Sequence, residues 1–82
     1  MQRLSNNDYY TTSDLALVTA LSLHHPIDSI DKQNPRKATF IFKKEAGFDE
    51  LLNGYWNREL KIEPQIYFNQ LKAIKHRLYS EN

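Results

Sequence analysis

The sequence predicts an α+β fold, a short antiparallel β-hairpin or three-stranded sheet packed against three helices in the order (β)αββαα. Three observations predict it. Apolar side chains recur every three or four residues across residues 48–56 and 67–78, which is the period of a helix buried on one side. Residues 37–43 instead alternate with period two, as a half-buried strand does. The chain of 82 residues has no cysteine, so one small domain without disulfides is expected.

The ends of the chain and its apolar runs set the expected organisation. Residues 1–7 have no periodic pattern and predict a flexible tail, which leaves residues 8–82 as a single α+β domain. The longest apolar run, Leu15–Leu23, is too short to span a bilayer, and its flanks do not match a signal peptide. We therefore expect a cytoplasmic protein without a membrane segment.

The first elements are a short strand and a capped helix. Asp8–Tyr10 fits a strand, and Thr11 followed by Asp14 has the spacing of a capping box that opens a helix. The helix continues through the apolar run Leu15–Leu23. It should end near His24, because Pro26 disfavours helical geometry in the residue before it.

The segment after the first helix predicts an irregular strand. In Pro26–Lys32, the two apolar residues Ile27 and Ile30 do not alternate in phase. A strand here therefore needs a bulge or an irregular start.

A hairpin should follow the irregular segment. Asn34 and Pro35 form a turn signal. Residues 37–43 then read as a strand whose Phe40 and Phe42 point to the same side. We expect that side to meet the helices.

The second helix should begin near Gly47 and bury one stripe. Its apolar residues are Phe48, Leu51, Leu52, Tyr55 and Trp56, at relative positions typical of one helix face. Burial of Trp56 is therefore expected, although an exposed Tyr55–Trp56 pair would suit a protein hot spot or base stacking. Gly54 costs about 1 kcal/mol relative to Ala inside a helix. That cost suggests a close approach by another backbone or by the indole.

The last helix should open at Pro64, whose fixed φ suits a first helical position. Its stripe consists of Tyr67, Leu71, Ile74 and Leu78. Ile66 falls on the polar side, where it either packs on the preceding connection or belongs to a binding surface. The expected core consists of Phe40, Phe42, Leu51, Trp56, Leu71 and Ile74.

Charge is unevenly distributed although the net charge is only +1. Basic residues concentrate beside the hairpin and on the last helix, so a local basic patch is compatible with a nearly neutral chain. These residues are Arg36, Lys37, Lys43, Lys44, Lys72, Lys75, His76 and Arg77. If the fold brought both groups to one side, they could follow a phosphate backbone; otherwise they form an ordinary solvated surface.

No motif in the sequence predicts catalysis or a bound cofactor. The chain has no nucleophile elbow and no phosphate-binding glycine loop. His24, His25 and His76 do not have the spacing of paired metal ligands. We therefore expect no enzyme activity, no cofactor, no metal and no small-molecule substrate.

The assembled motifs resemble a known but uncharacterised family of small prokaryotic and phage-encoded domains. The resemblance rests on Y-x-T-x-D-L-A-L ending at Leu17, F-x-F at Phe40, Y-W-N at Tyr55, and the aromatic and basic last helix, and it covers roughly residues 9–79. It implies a fold unit without an assigned activity. Members of that family have a glycine-containing turn after the first helix. This chain has His24-His25-Pro26 at that place instead.

A second resemblance covers only residues 10–23, which look like the opening helix of a MerR-type DNA-binding domain. A helix-turn-helix requires a second helix after a turn of three or four residues. Pro26 and a strand-like segment follow here instead.

These observations favour a small non-enzymatic accessory module that binds a protein partner or self-associates. The alternative is a nucleic-acid-binding accessory protein that uses the basic patch. The candidate interaction surface consists of Lys43, Lys44, Ile66, Lys72, Lys75, His76, Arg77 and Tyr79.

Overall fold

The computed structural model describes residues 8–34 and 36–80, so the expected tail at residues 1–7 lies outside the described residues. The elements are β1 (Tyr9–Thr12), α1 (Leu15–Ser22), β2 (Ile27–Asp31), β3 (Thr39–Lys43), α2 (Phe48–Trp56) and α3 (Pro64–Ser80). The predicted α+β class and the order βαββαα are confirmed, with three strands in the sheet. In the described part of the chain, no helix is long and apolar enough to cross a bilayer.

The sheet has the strand order β1-β3-β2, and β3 pairs antiparallel with both neighbours. In β3, Phe40 and Phe42 are buried against the helices, as the alternation predicts. The register between β2 and β3 shifts between Ile27 and Ser29. That shift is the expected irregularity, and it lets Ile27 and Ile30 both pack against the core despite their odd spacing.

The cap of α1 differs from the predicted one. Asp14 itself is the N-cap, and its Oδ1 accepts hydrogen bonds from the backbone N of Ala16 at 3.0 Å and of Leu17 at 3.3 Å. Thr11 is instead an exposed residue of β1, paired with Ile41. The prediction that Thr11 opens the capping box is wrong. β1 extends through Thr12, so Thr11 pairs within the sheet and does not cap the helix.

The core lies between the inner face of the sheet and the three helices, which all contribute to it. Its buried apolar residues are Leu17, Val18, Ala20, Leu21, Phe40, Phe42, Phe48 and Ile74. The expected core is right for Phe40, Phe42 and Ile74, whereas Leu51 and Leu71 are only half-buried. Trp56 is 58% exposed, so its predicted burial is wrong. Trp56 is the last residue of α2, and the chain turns away there before a neighbour covers the indole.

The turn that ends α2 sends the chain toward α3. Arg58 has φ 63°, and the backbone N of Glu59 donates to the Gly54 carbonyl at 2.9 Å while that of Arg58 donates to Tyr55 at 3.1 Å. This pair of bonds is a Schellman motif with an arginine at the left-handed position. No described atom beyond the helix backbone and chain neighbours lies within 4 Å of a Cβ built on Gly54, so the expected close approach is wrong.

Candidate interaction surface

An apolar groove opens where α2, α3 and their connection meet α1. It has a volume of about 380 Å³ and is lined by Ala20, Tyr55, Leu60, Ile62, Pro64, Tyr67 and Phe68. We call it the aromatic groove. All its lining side chains are uncharged, and three of them are aromatic. α1 packs against both α2 and α3, so the groove has a helix as its floor.

Two tyrosines reach over the start of α1 from the neighbouring helices. The Tyr67 hydroxyl donates a hydrogen bond to the Ala16 carbonyl oxygen at 3.2 Å. Tyr55 comes from α2 and is half-buried. Burial raises the pKa of Tyr55 above its usual 10.0, and the Asp14 carboxylate and Tyr67 raise it further. The Tyr67 hydroxyl and the Asp14 carboxylate thus place polar groups near the start of α1, and of these two residues Tyr67 lines the groove.

Aromatic rings continue from the groove onto the surface. The Trp56 ring lies edge-on to Tyr55 with centroids 5.1 Å apart, and Phe68 lies edge-on to Tyr67 with centroids 6.3 Å apart. Trp56 and Phe68 are each 58% exposed. Exposed aromatic rings thus lie next to both groove tyrosines, on α2 and on α3.

Ile66 lies beside the groove, across the connection. It is 53% exposed and shares a second depression of about 270 Å³ with Leu23, His24, Lys61, Ile62 and Glu63. Ile62 lines both depressions and forms the ridge between them. Ile66 lies on the polar side of α3 because its side chain faces the connection between α2 and α3 and not the core.

The start of α3 is fixed by its own residues. The Glu63 carboxylate accepts a hydrogen bond from the backbone N of Ile66 at 2.9 Å, and the Glu63 carbonyl accepts from Tyr67 at 3.0 Å. Pro64 occupies the first helical position, as predicted. This cap sets the helical register in which Tyr67 turns inward and Phe68 turns toward solvent.

Lys43 at the end of β3 and Lys44 directly after it face different parts of the molecule. Lys43 alternates with the buried Phe42, so it points to the sheet face away from the helices. Lys44 points to α2, where its Nζ lies 3.9 Å from the Asp49 carboxylate.

The basic residues of α3 lie in the helical layer, on the solvent side of that helix. These exposed residues are Lys72, Lys75, His76 and Arg77. Ile74 of the same helix points the other way and is buried in the core together with Phe42. The fold therefore does not gather Lys43 and the basic residues of α3 onto one face.

Tyr79 is 74% exposed near the end of α3. At a rise of 1.5 Å per residue it lies about 20 Å along the helix from Ile66. The two apolar residues of the predicted surface therefore belong to separate places, and only Ile66 adjoins the aromatic groove.

The groove residues that sequence reasoning missed are Leu60, Ile62, Pro64 and Phe68. The available signal was the run Glu59–Glu63, in which charged and apolar residues alternate. Such alternation predicts an extended segment with one apolar side, and both Leu60 and Ile62 are half-buried there.

The histidines do not form a metal site in the described residues, where no group of three or more His, Asp or Glu residues has ligand geometry. His25 packs edge-on against Phe48, with ring centroids 5.4 Å apart. His25 therefore adds to the core boundary at the end of α1.

The chain order and the comparisons place the fold in a family. β2, rather than a second helix, follows α1, so the likeness to a MerR-type domain does not extend to a helix-turn-helix. No curated protein and no solved structure matches the chain. A family model matches residues 7–80, and the expected kinship with domains lacking an assigned activity is confirmed. The protein belongs to the family described as domain of unknown function DUF5659.

Proposed function

We propose that this domain is a small non-enzymatic interaction module that binds a protein partner through the aromatic groove and the exposed apolar residues beside it. The observation that supports the proposal most is the placement of Trp56, Ile66 and Phe68, each more than half exposed, around the groove. The absence of cysteine from the sequence suits a module that works in the reducing cytoplasm.

These exposed apolar side chains would be stabilised if a partner removed them from water. Burying a large apolar side chain is worth about 1.5–3 kcal/mol, and an aromatic residue removes about 150–250 Å² from water when it is covered. Trp and Tyr are also enriched among the residues that dominate binding energy in protein interfaces. A partner that covers Trp56 and Phe68 would gain this stabilisation, which the domain alone leaves unused.

Two other modes of binding would behave differently in solution. Self-association would cover the same surface with a second copy and would depend on protein concentration. Phosphate-backbone binding would use the basic face of α3 and would weaken steeply with salt, whereas apolar association would not. The groove side chains are uncharged and apolar over most of their area, which favours apolar association with a protein over phosphate-backbone binding.

Site-specific photocrosslinking tests the proposal in the cells that naturally make the protein. A benzophenone amino acid replaces Phe68 in one variant and Trp56 in a second; Thr11, exposed on the open sheet face, is the control position. The expected result is a discrete protein adduct at positions 68 and 56 and none at position 11. Adducts only with a second copy would support self-association instead. Adducts with nucleic acid, or equal yields at all three positions, would contradict the proposal.

A further inference from the structure

We infer that the partner adds an extended strand to residues 59–63, which we call the connecting segment, with an acidic residue opposite Lys61 and an apolar residue on each side of it. The inference rests on the proposed function and adds to it the conformation and the chemistry of the bound segment. It follows from the side-chain alternation of the connecting segment, from its unpaired backbone and from the charge of Lys61.

The connecting segment has the side-chain alternation of a strand, although it belongs to none of the sheet strands that the structure describes. Leu60, Ile62 and Pro64 all line the aromatic groove. Glu59 and Lys61, which lie between and before them, are exposed. Side chains two residues apart share a face in an extended backbone and not in a helix. The segment therefore already has the conformation that strand addition requires.

The backbone of Lys61 is open to pairing. The backbone N of Leu60 donates to the Gly54 carbonyl at 3.2 Å, so that edge of the segment faces the end of α2. Successive residues of an extended chain direct their N–H and C=O groups to opposite edges. The N–H and C=O of Lys61 thus point away from α2, and neither bonds to any residue that the structure describes. An added antiparallel strand binds such a residue through both groups.

The outer strands of the sheet do not offer the same combination. These strands are β1 and β2, and no residue of either lines the aromatic groove or the depression beside Ile66. The register shift in β2 also makes that edge irregular, which disfavours a further strand. Lys61 instead lines the depression beside Ile66, together with the apolar residues Leu23 and Ile62. A strand paired with Lys61 therefore has apolar side chains beside it.

The side chains of the connecting segment determine which residues the added strand should carry. Directly opposite residues of an antiparallel pair lie on the same face, where opposite charges stabilise the pair and like charges destabilise it. The residue opposite the exposed Lys61 should therefore be an aspartate or a glutamate. Its two neighbours point to the other face, which is the face of Leu60 and Ile62, and apolar side chains suit that place. The recognised segment is apolar, acidic, apolar.

Three peptides test the inference on the full chain by NMR. The first is acetyl-Thr-Val-Glu-Val-Thr-amide, and the second has lysine in place of the glutamate. The third has an N-methyl group on the glutamate nitrogen, which removes the N–H that would bind the Lys61 carbonyl. We expect the first peptide to shift the amide signals of the connecting segment and to slow solvent exchange of the Lys61 amide. It should bind about twofold to tenfold more tightly than either of the others, as one hydrogen bond or one cross-strand charge pair allows.

The matched variant is Lys61→Glu. The Lys61 side chain is exposed and makes no ion pair with the residues that the structure describes, so the substitution should leave the fold intact. The variant should reverse the preference, so that the lysine peptide binds more tightly than the glutamate peptide. Lys72→Glu makes the same change of charge at an exposed position of α3 and should keep the preference of the wild type.

Four results would overturn the inference. They are equal binding of the glutamate and lysine peptides, a preference that Lys61→Glu does not reverse, full affinity of the N-methyl peptide, and absence of shifts with every peptide. Protection of the Lys61 amide that grows with protein concentration, without peptide, would also overturn it, because a second copy would then occupy this edge.

The proposed function is judged by a separate result. Protein adducts at positions 68 and 56 would still support it after any failure of the peptides. Absence of those adducts would overturn the function even if the glutamate peptide bound as expected.

Discussion

The hydroxyl of Tyr67 donates a hydrogen bond to the carbonyl oxygen of Ala16 at 3.2 Å, and this contact holds the start of α3 across the first turn of α1. The relationship joins residues 51 positions apart in the chain. It also sets one wall of the aromatic groove, because the Tyr67 ring lines the groove while its hydroxyl is bonded to α1.

Replacing Tyr67 by phenylalanine should remove that bond and keep the ring. We expect the free energy of unfolding to fall by about 0.5–1.5 kcal/mol, the usual net value of one hydrogen bond. Urea denaturation would measure it. Tyr79→Phe is the control, since that residue is 74% exposed and should leave the midpoint unchanged. Equal midpoints for wild type and Tyr67→Phe would show that the bond does not stabilise the domain.

Ile74 is the buried residue of α3, and Leu71 is only half-buried. Ile74→Ala should therefore cost about 2–5 kcal/mol, which is enough to unfold a large fraction of a small domain. Leu71→Ala should cost clearly less. Thermal unfolding followed by circular dichroism compares the two variants. A larger loss for Leu71→Ala would mean that α3 is rotated relative to the arrangement described above.

Gly54 and Gly47 predict opposite responses to alanine. Gly54 is helical with open space where a Cβ would lie, so Gly54→Ala should stabilise the protein by about 0.5–1 kcal/mol. Gly47 has φ +86° at the N-cap of α2, and Gly47→Ala should destabilise it. Chemical denaturation of both variants checks the pair. Destabilisation by Gly54→Ala would indicate that a neighbouring group does approach Gly54 closely, as the sequence suggested.

Tyr55 predicts a loss of stability at alkaline pH. Its pKa in the folded state is raised by burial, and by Asp14 and Tyr67, above the usual 10.0 of an unfolded chain. Unfolding therefore releases the Tyr55 proton more readily once the pH exceeds that usual value. The contribution of Tyr55 is fully present below pH 10.0 and is lost as the pH rises through the folded pKa.

Tyr55→Phe separates this effect from the other tyrosines. The variant should lose less stability than wild type as the pH rises above 10.0, when both are unfolded by urea at a series of pH values. Asp14→Asn should lower the folded pKa of Tyr55, seen as earlier phenolate absorbance. Identical alkaline profiles for wild type and Tyr55→Phe would contradict a raised pKa of Tyr55 in the folded state.

Periodicity predicted the elements well because each depends on local pattern. The alternation around Phe40 and Phe42 gave β3 its inner face, and the out-of-phase Ile27 and Ile30 indicated the irregular pairing of β2. Trp56 shows the limit of such reasoning. Its angle around α2 matches the buried stripe, but burial also depends on whether a neighbour extends as far as the end of that helix.

The location of the candidate surface could not be predicted from local sequence patterns, because it depends on contacts between segments that are distant in the chain. Ile66 was identified from its position on the wrong side of α3, and it does lie beside the groove. The groove itself arises from the connection after Arg58, whose path is set by contacts across the fold. Charges were easy to locate along the chain, but the separation of Lys43 from the basic residues of α3 required the sheet register.

The most direct test of the central claim uses the partner identified by crosslinking at position 68. Calorimetry would compare its affinity for wild type, Phe68→Ser and Tyr79→Ser. Phe68 and Tyr79 are both exposed aromatic residues of α3, but only Phe68 lines the groove. We predict that Phe68→Ser weakens binding at least about tenfold, as loss of an interface hot spot does, and that Tyr79→Ser leaves it unchanged. Equal affinity of wild type and Phe68→Ser would contradict the claim that this groove is the interaction surface.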